Sequence, residues 1–258
     1  MNKITRVFKE KKGNILSVYF TAGFPELEDT TVIMKSLQRA GADLIEVGIP
    51  FSDPVADGPT IQESNKIALD NGITVKKILE QISQVKDEIK IPVILMGYLN
   101  PVYQYGIDRF CADCNNAGVS GLIIPDLPLT EYIESYKQVF EKHGLVNVFL
   151  ITPQTDKDRI RMINDNTEGF IYMVSSSSTT GAKKGLTDAQ VAYFKKIRDM
   201  KLESPLLIGF GISDHQSFVQ ASRYASGAII GSAFIKVLRK NGDLENNILD
   251  YVQRVKGN

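Results

Sequence analysis

The chain has 258 residues, with 30 Lys plus Arg against 30 Asp plus Glu, so no net field draws it to nucleic acid or to an anionic membrane and a charged ligand must be held by a local site. Hydrophobic residues make up 43%, enough for a substantial core, yet no apolar run approaches the roughly 18 to 20 residues of a membrane span. A single barrel of alternating strands and helices commonly has this length.

The chain opens on "MNKITRVFKEKKGN", where Ile4, Val7 and Phe8 fall at helical spacing. No apolar h-region or small-residue cleavage site follows, so the stretch reads as a leading amphipathic helix rather than a targeting sequence. Short apolar runs then recur, mostly some 22 to 35 residues apart: 15–20, 44–48, 92–97, 121–125, 147–151, 170–174, 205–210 and 227–231. Each is followed by a polar or Gly/Pro turn and a helical pattern, as in "ELEDTTVIMKSLQRAG", "TEYIESYKQVFEKHG", "DKDRIRMIND" and "DAQVAYFKKIRDM". Eight strands in strict alternation, with no linker or composition break, predict one (β/α)8 TIM barrel domain over 1–258, with the extra N-terminal helix and a short phosphate-binding helix after the eighth strand. A doubly wound sheet is the rival, but the turn after the first strand, "TAGFPELED", lacks the G-x-G-x-x-G of dinucleotide binding. Cys111 and Cys114, the only cysteines, sit in the helical "RFCADCNNAG" and read as structural thiols. Two cysteines and no leader predict a cytoplasmic protein.

In such a barrel the site gathers at the C-terminal strand ends, and phosphate is often gripped after strands seven and eight. "GFGIS" (209–213) and "GSAFIKVLRK" (from Gly231) stand at those two places. Glycines admit backbone N–H groups to phosphate oxygens, and the helix start favours an anion; Ser232 is expected to cap that helix and offer its hydroxyl. After the sixth run comes "SSSSTTGAKKG" (175–185), which lies inside the alternation and therefore reads as a lid over the mouth, not as a linker. Tyr172, on the strand before it, is expected to point into the barrel. His143, at a helix end, and His215, at a helix start, read as capping or surface residues.

The most informative stretch is "DLIEVGIPFSDPVADGPTIQ" (43–62), which puts Glu46 into a buried strand. An isolated carboxylate there is costly unless it is paired, protonated or at work. Near the mouth, desolvation should lift its pKa toward neutrality and make it a proton donor or shuttle. Asp57, in the polar loop that follows, is expected to stay ionised, so that the two carboxylates divide the acid and anion roles. Asp53 reads as a turn residue.

"EVGIPFSDPVADGPTIQ", with "YLNPVYQYG" (98–106), "DLP" (126–128), "GFGIS" and "GSAFIK", resembles the tryptophan synthase alpha family over essentially the whole chain. The resemblance implies a retro-aldol cleavage of indole-3-glycerol phosphate to indole and glyceraldehyde 3-phosphate without a cofactor. It makes Glu46 the acid at indole C3 and Asp57 the acceptor of the indole N–H. It puts Tyr172 in the active site, with Tyr98, Tyr19 and Leu99 to Pro101 lining the substrate or facing a partner. Gly181, Gly211, Gly231 and Ser232 match phosphate contacts, and Thr180 matches a lid threonine that meets the loop aspartate. The implied assembly is α2β2, with pyridoxal phosphate carried only by the beta subunit, which takes up the indole. One departure stands in the lid: where the family writes S-R-x-G-V-T-G, this chain has Ser176 for the arginine and Ser178 for the inner glycine. Two other functions are set beside this one: a sugar-phosphate isomerase or epimerase on the same barrel, and a non-catalytic activator of the beta subunit.

Overall fold

In the computed structural model, which describes residues 1–174, 187–209 and 211–257, the eight apolar runs form eight parallel strands closed in the order β1 to β8. They are β1 (Ile15–Thr21), β2 (Leu44–Gly48), β3 (Val93–Met96), β4 (Gly121–Ile123), β5 (Val146–Ile151), β6 (Ile171–Val174), β7 (Leu206–Gly209) and β8 (Gly227–Ile230), with β1 pairing to both β2 and β8. Most are a residue or two shorter than the runs that mark them. Hydrophobicity continues past the last ladder hydrogen bond because the chain stays buried as it turns out of the sheet.

Nearly every strand residue is buried on both faces, which is why the runs read as continuous rather than alternating. Alternate residues nevertheless separate into two layers. Leu44, Ile94, Ile123, Val148, Tyr172, Leu207 and Ile229 pack inside the barrel, whereas Leu16, Val18, Val47 and Leu122 join the larger shell shared with the helices.

That shell comprises, in chain order, α1 (Lys3–Glu10), α2 (Asp29–Arg39), α3 (Pro59–Asp70), α4 (Val75–Val85), α5 (Leu99–Tyr105), α6 (Ile107–Ala117) and α7 (Leu129–Glu131). It continues with α8 (Lys137–Lys142), α9 (Lys157–Asp165), α10 (Asp188–Arg198), α11 (His215–Ser222), α12 (Ser232–Leu238) and α13 (Leu244–Lys256). Side-chain caps start several of them: Thr74 accepts from the Lys77 N–H, Asp156 from Arg159, and Asp214 from Ser217. The expected helix "TEYIESYKQVFEKHG" is interrupted between α7 and α8 by a π-helical stretch, Tyr132–Tyr136. Cys111 and Cys114 are free and buried in α6, and burial pushes the Cys111 thiol up to about 12 and Cys114 upward as well.

The leading helix has a definite task. Ile4 is fully buried among the inner-barrel residues, with Val7 and Phe8 packed against the same cluster and the Phe8 and Phe170 rings 5.5 Å apart. The Asn2 side chain caps α1 by accepting from the Ile4 N–H and donates to the carbonyls of Ser120 and Gly144, at 2.7 and 2.9 Å. These carbonyls immediately precede β4 and β5, so α1 closes the end of the barrel at which the strands begin.

Candidate active site

Glu46 is the third of the five residues of β2, paired in register with Tyr19 of β1 and Ile94 of β3, and its side chain is wholly buried. Its Oε1 accepts a 2.6 Å hydrogen bond from the Ser17 hydroxyl, while Oε2 is buried without a hydrogen-bond partner among the described residues. Ser17 is paired in register with Leu44, two residues before Glu46 on β2. The polar group that satisfies it is thus on the neighbouring strand, β1. Desolvation lifts its pKa from 4.5 to about 7, and the Ser17 hydrogen bond opposes that rise.

Asp57 belongs to the loop that joins β2 to α3. The loop is drawn tight by its own backbone, Val55 N–H to Asp53 and Asp57 N–H to Pro54, both near 3.0 Å, and by the Ala56 N–H, which donates to the Tyr98 hydroxyl at 3.0 Å. Among the described residues Asp53 makes this turn bond and a 2.6 Å contact from Ser52, in keeping with a turn residue. From α3, Gln62 donates to the Asp57 carbonyl at 2.9 Å and the Asn65 amide reaches its carboxylate at 3.5 Å.

Burial raises Asp57 from 3.8 to about 6, held back by hydrogen bonds from the Tyr98 hydroxyl and Asn65. Asp57 thus titrates above an ordinary carboxylate and below Glu46. The gap between the two carboxyls is narrower than their sequence context suggests, because Asp57 is folded under Tyr98 and α3 rather than left in solvent.

Tyr19 and Tyr172 fill the inner barrel around Glu46, both buried, and their phenols are pushed above the usual value by desolvation and by the two acids. Each depends on a glycine. A Cβ at Gly48 would stand 2.3 Å from the Tyr19 hydroxyl, and one at Gly209 would stand 2.3 Å from that of Tyr172. A narrow cavity at the mouth is lined by Tyr19, Ile49, Asp57, Asn65, Met96 and Tyr98. Tyr98 immediately precedes α5, whose first N–H, that of Leu99, is bound by Asp126 of the "DLP" stretch at 2.9 Å.

On the other side of the mouth, Gly211 adopts φ +80°, a left-handed conformation that suits glycine and leaves open space where a side chain would project. Ser232 does not cap the helix after β8. Gly231 occupies the capping position, with no side-chain cap, and Ser232 is the exposed first helical residue. The chain turns one residue sooner than expected, so only the hydroxyl and the backbone N–H groups remain as Ser232's offer to an anion. Thr180 and Gly181, with the lid departures at Ser176 and Ser178, lie outside the described residues. His143 ends α8 and meets Asp108 at 3.0 Å; His215 opens α11 and binds the Val255 carbonyl.

Three residues of this arrangement escaped the sequence reading. Ser17 was visible as the one polar member of the inward set Ile15, Ser17, Tyr19. Asn65 carries no signal of its own and Asp126 is marked only as part of "DLP", because their roles exist only once α3 and the β4 loop are placed.

The model of the tryptophan synthase alpha chain family matches residues 6–258. The tryptophan synthase alpha chain of Flavobacterium psychrophilum is 54% identical over 242 residues, covering 94% of this chain and 95% of the relative, and that of Flavobacterium johnsoniae is 51% identical over 256 residues, covering 99% and 100%. Among solved structures, the alpha subunit from Legionella pneumophila superposes with a TM-score of 0.90 at 34% identity, over 100% of this chain and 98% of that one. With a family match across nearly its whole length and relatives at half identity, the chain belongs to the tryptophan synthase alpha chain family and shares its place in tryptophan biosynthesis.

Proposed function

We propose that this chain, as one (β/α)8 domain, cleaves indole-3-glycerol phosphate to indole and glyceraldehyde 3-phosphate. The observation that carries the reading is Glu46, a buried carboxyl whose pKa of about 7 populates both acid and carboxylate at neutral pH. As the acid it protonates indole C3, and Asp57 accepts the ring N–H and offsets the positive charge that develops there. As the carboxylate it then takes the proton of the side-chain hydroxyl next to C3. The carbon–carbon bond breaks, the hydroxyl carbon becomes the aldehyde, the bonding pair restores the indole ring, and Glu46 ends the cycle protonated.

Tyr172 and Tyr19 line the apolar slot for the ring, and Tyr98 sets Asp57. Gly211, Gly231 and Ser232, with Gly181 of the lid, receive the phosphate end, and Thr180 of the lid meets the loop aspartate. The chemistry calls for no cofactor in this chain. Pyridoxal phosphate belongs to a beta subunit, joined in an α2β2 assembly. The segments after β2, β3 and β4 offer that partner exposed apolar side chains: Val55, 89% exposed, Tyr103, 67% exposed, and Ile133. The cytoplasm is the compartment we assign, in keeping with two free, buried cysteines.

The test is indole release from indole-3-glycerol phosphate by the purified chain, alone and with a beta subunit. Release that Glu46→Gln or Asp57→Asn suppresses by orders of magnitude supports the assignment. No release under either condition overturns it.

A further inference from the structure

Ser17 has no role in the mechanism above, yet it is the one hydrogen-bonding partner that Glu46 has among the described residues. It sits in the inward set of β1 at a level where the neighbouring side chains, Ile15, Leu44 and Ile229, are aliphatic. A hydroxyl in that layer is wholly buried and 2.6 Å from Oε1. The other oxygen, Oε2, is equally buried and without a partner.

We propose that Ser17 is a positioning residue for the reaction proposed above: its hydroxyl holds Oε1 and leaves Oε2 as the oxygen that gives and takes the proton. The chemistry of the pair supports this. A serine has one hydrogen to donate, and Oε1 can accept it both as a carboxylate oxygen and as the carbonyl oxygen of the neutral acid. The same bond therefore survives both protonation states. Glu46 stays in place while the proton comes and goes on the opposite oxygen, and no rotamer change is needed between protonating C3 and deprotonating the hydroxyl.

The hydrogen bond also favours the charged form. A donor to a carboxylate is stronger than one to a neutral acid, so losing it makes Glu46 hold its proton more tightly. The other titratable groups facing Glu46 are the phenols of Tyr19 on β1 and Tyr172 on β6, both displaced upward and neutral across the working range, and Asp57 acts on both phenols from the β2 loop. Its neighbour on β3, Ile94, is apolar. Among the described residues, desolvation and the Ser17 hydrogen bond are what set Glu46, so a shift on changing Ser17 reads that bond.

The experiment is an infrared titration of the Glu46 carboxyl, read as each protein minus its Glu46→Gln counterpart, in the wild type, Ser17→Ala and Ser17→Thr. It needs no substrate, so it reports on the contact even if the chain fails to cleave indole-3-glycerol phosphate; that failure would count against the proposed function alone. Ser17→Ala should move the midpoint up by about one pH unit, a tenfold rise in proton affinity. In turnover, Ser17→Ala should lower kcat about tenfold with KM little changed, and Ser17→Thr, which keeps the hydroxyl, should restore both midpoint and kcat to within a fewfold. A midpoint in Ser17→Ala at or below that of the wild type would overturn the assignment. So would equal impairment of the Ala and Thr variants, which would assign the loss to packing.

Discussion

Replacing Glu46 by glutamine removes an ionisable group from the middle of the barrel while keeping its shape, and the consequence for stability depends on pH. The carboxyl ordinarily titrates at 4.5 and in the folded chain at about 7, so the native state binds its proton more tightly than the unfolded state does. Below pH 4.5 both states are protonated and the residue costs nothing. As pH rises from 4.5 to 7 the unfolded chain sheds a proton that the folded one retains, and stability falls. At about 1.4 kcal/mol per unit, the full shift comes to about 3 kcal/mol, reached at pH 8 and reduced to about 1 kcal/mol at pH 5.

Glutamine does not titrate, so Glu46→Gln should gain on the wild type by about 2 kcal/mol between pH 5 and pH 8, whatever fixed cost its amide adds. Urea unfolding of both proteins at the two pH values measures this, since titrations elsewhere cancel in the difference. In thermal unfolding the same change corresponds to several degrees, at about 2 to 4 °C per kcal/mol for a chain of this size. An inactive variant that becomes progressively more stable than its parent toward alkaline pH is the expected outcome. A stability difference that is the same at pH 5 and pH 8, or that shrinks, would refute the reasoning.

Tyr98→Phe should leave the Ala56 N–H without its acceptor and Asp57 without its phenol donor. The Asp57 pKa then rises above about 6, and the acid limb of kcat/KM should move to higher pH with a loss of about tenfold at neutrality, read from a pH–rate profile. Gly209→Ala puts a carbon 2.3 Å from the Tyr172 hydroxyl, so the ring must move. Kinetics should show at least about a tenfold loss of kcat, and unfolding a cost of about 1 to 3 kcal/mol. Ile4→Ala empties the fully buried centre of the α1 closure and should cost about 2 to 4 kcal/mol in urea, with KM nearly unchanged because the substrate enters from the opposite end.

What the sequence made legible follows from which forces act locally. The eight strands were readable because a parallel barrel buries both faces, which writes an uninterrupted apolar run into each. Their ends were not, since Pro92 and Ile124 are apolar but lie just outside β3 and β4. Glu46 announced itself by being charged in such a run. Asp57 was recognisable by its motif, but its environment was not, because the groups that bury and hold it arrive from α3 and from Tyr98 in the next unit. Ser17 was overlooked for the opposite reason: one serine in a buried strand is commonplace until its partner is seen. The π-helical stretch at Tyr132–Tyr136 adds to a helix without disturbing its apolar pattern, and so left no mark.

The closure by α1 turns the barrel into a blind vessel. With Ile4 seated across the base and Asn2 fastened to the chain before β4 and β5, the described residues close the end of the barrel at which the strands begin, and the opposite end is where the proposed substrate would reach Glu46. Whatever settles on the mouth, ligand or protein, therefore acts on the hydration of Glu46, whose pKa desolvation already raises. The acidity of Glu46 becomes a gauge of how well the vessel is stoppered.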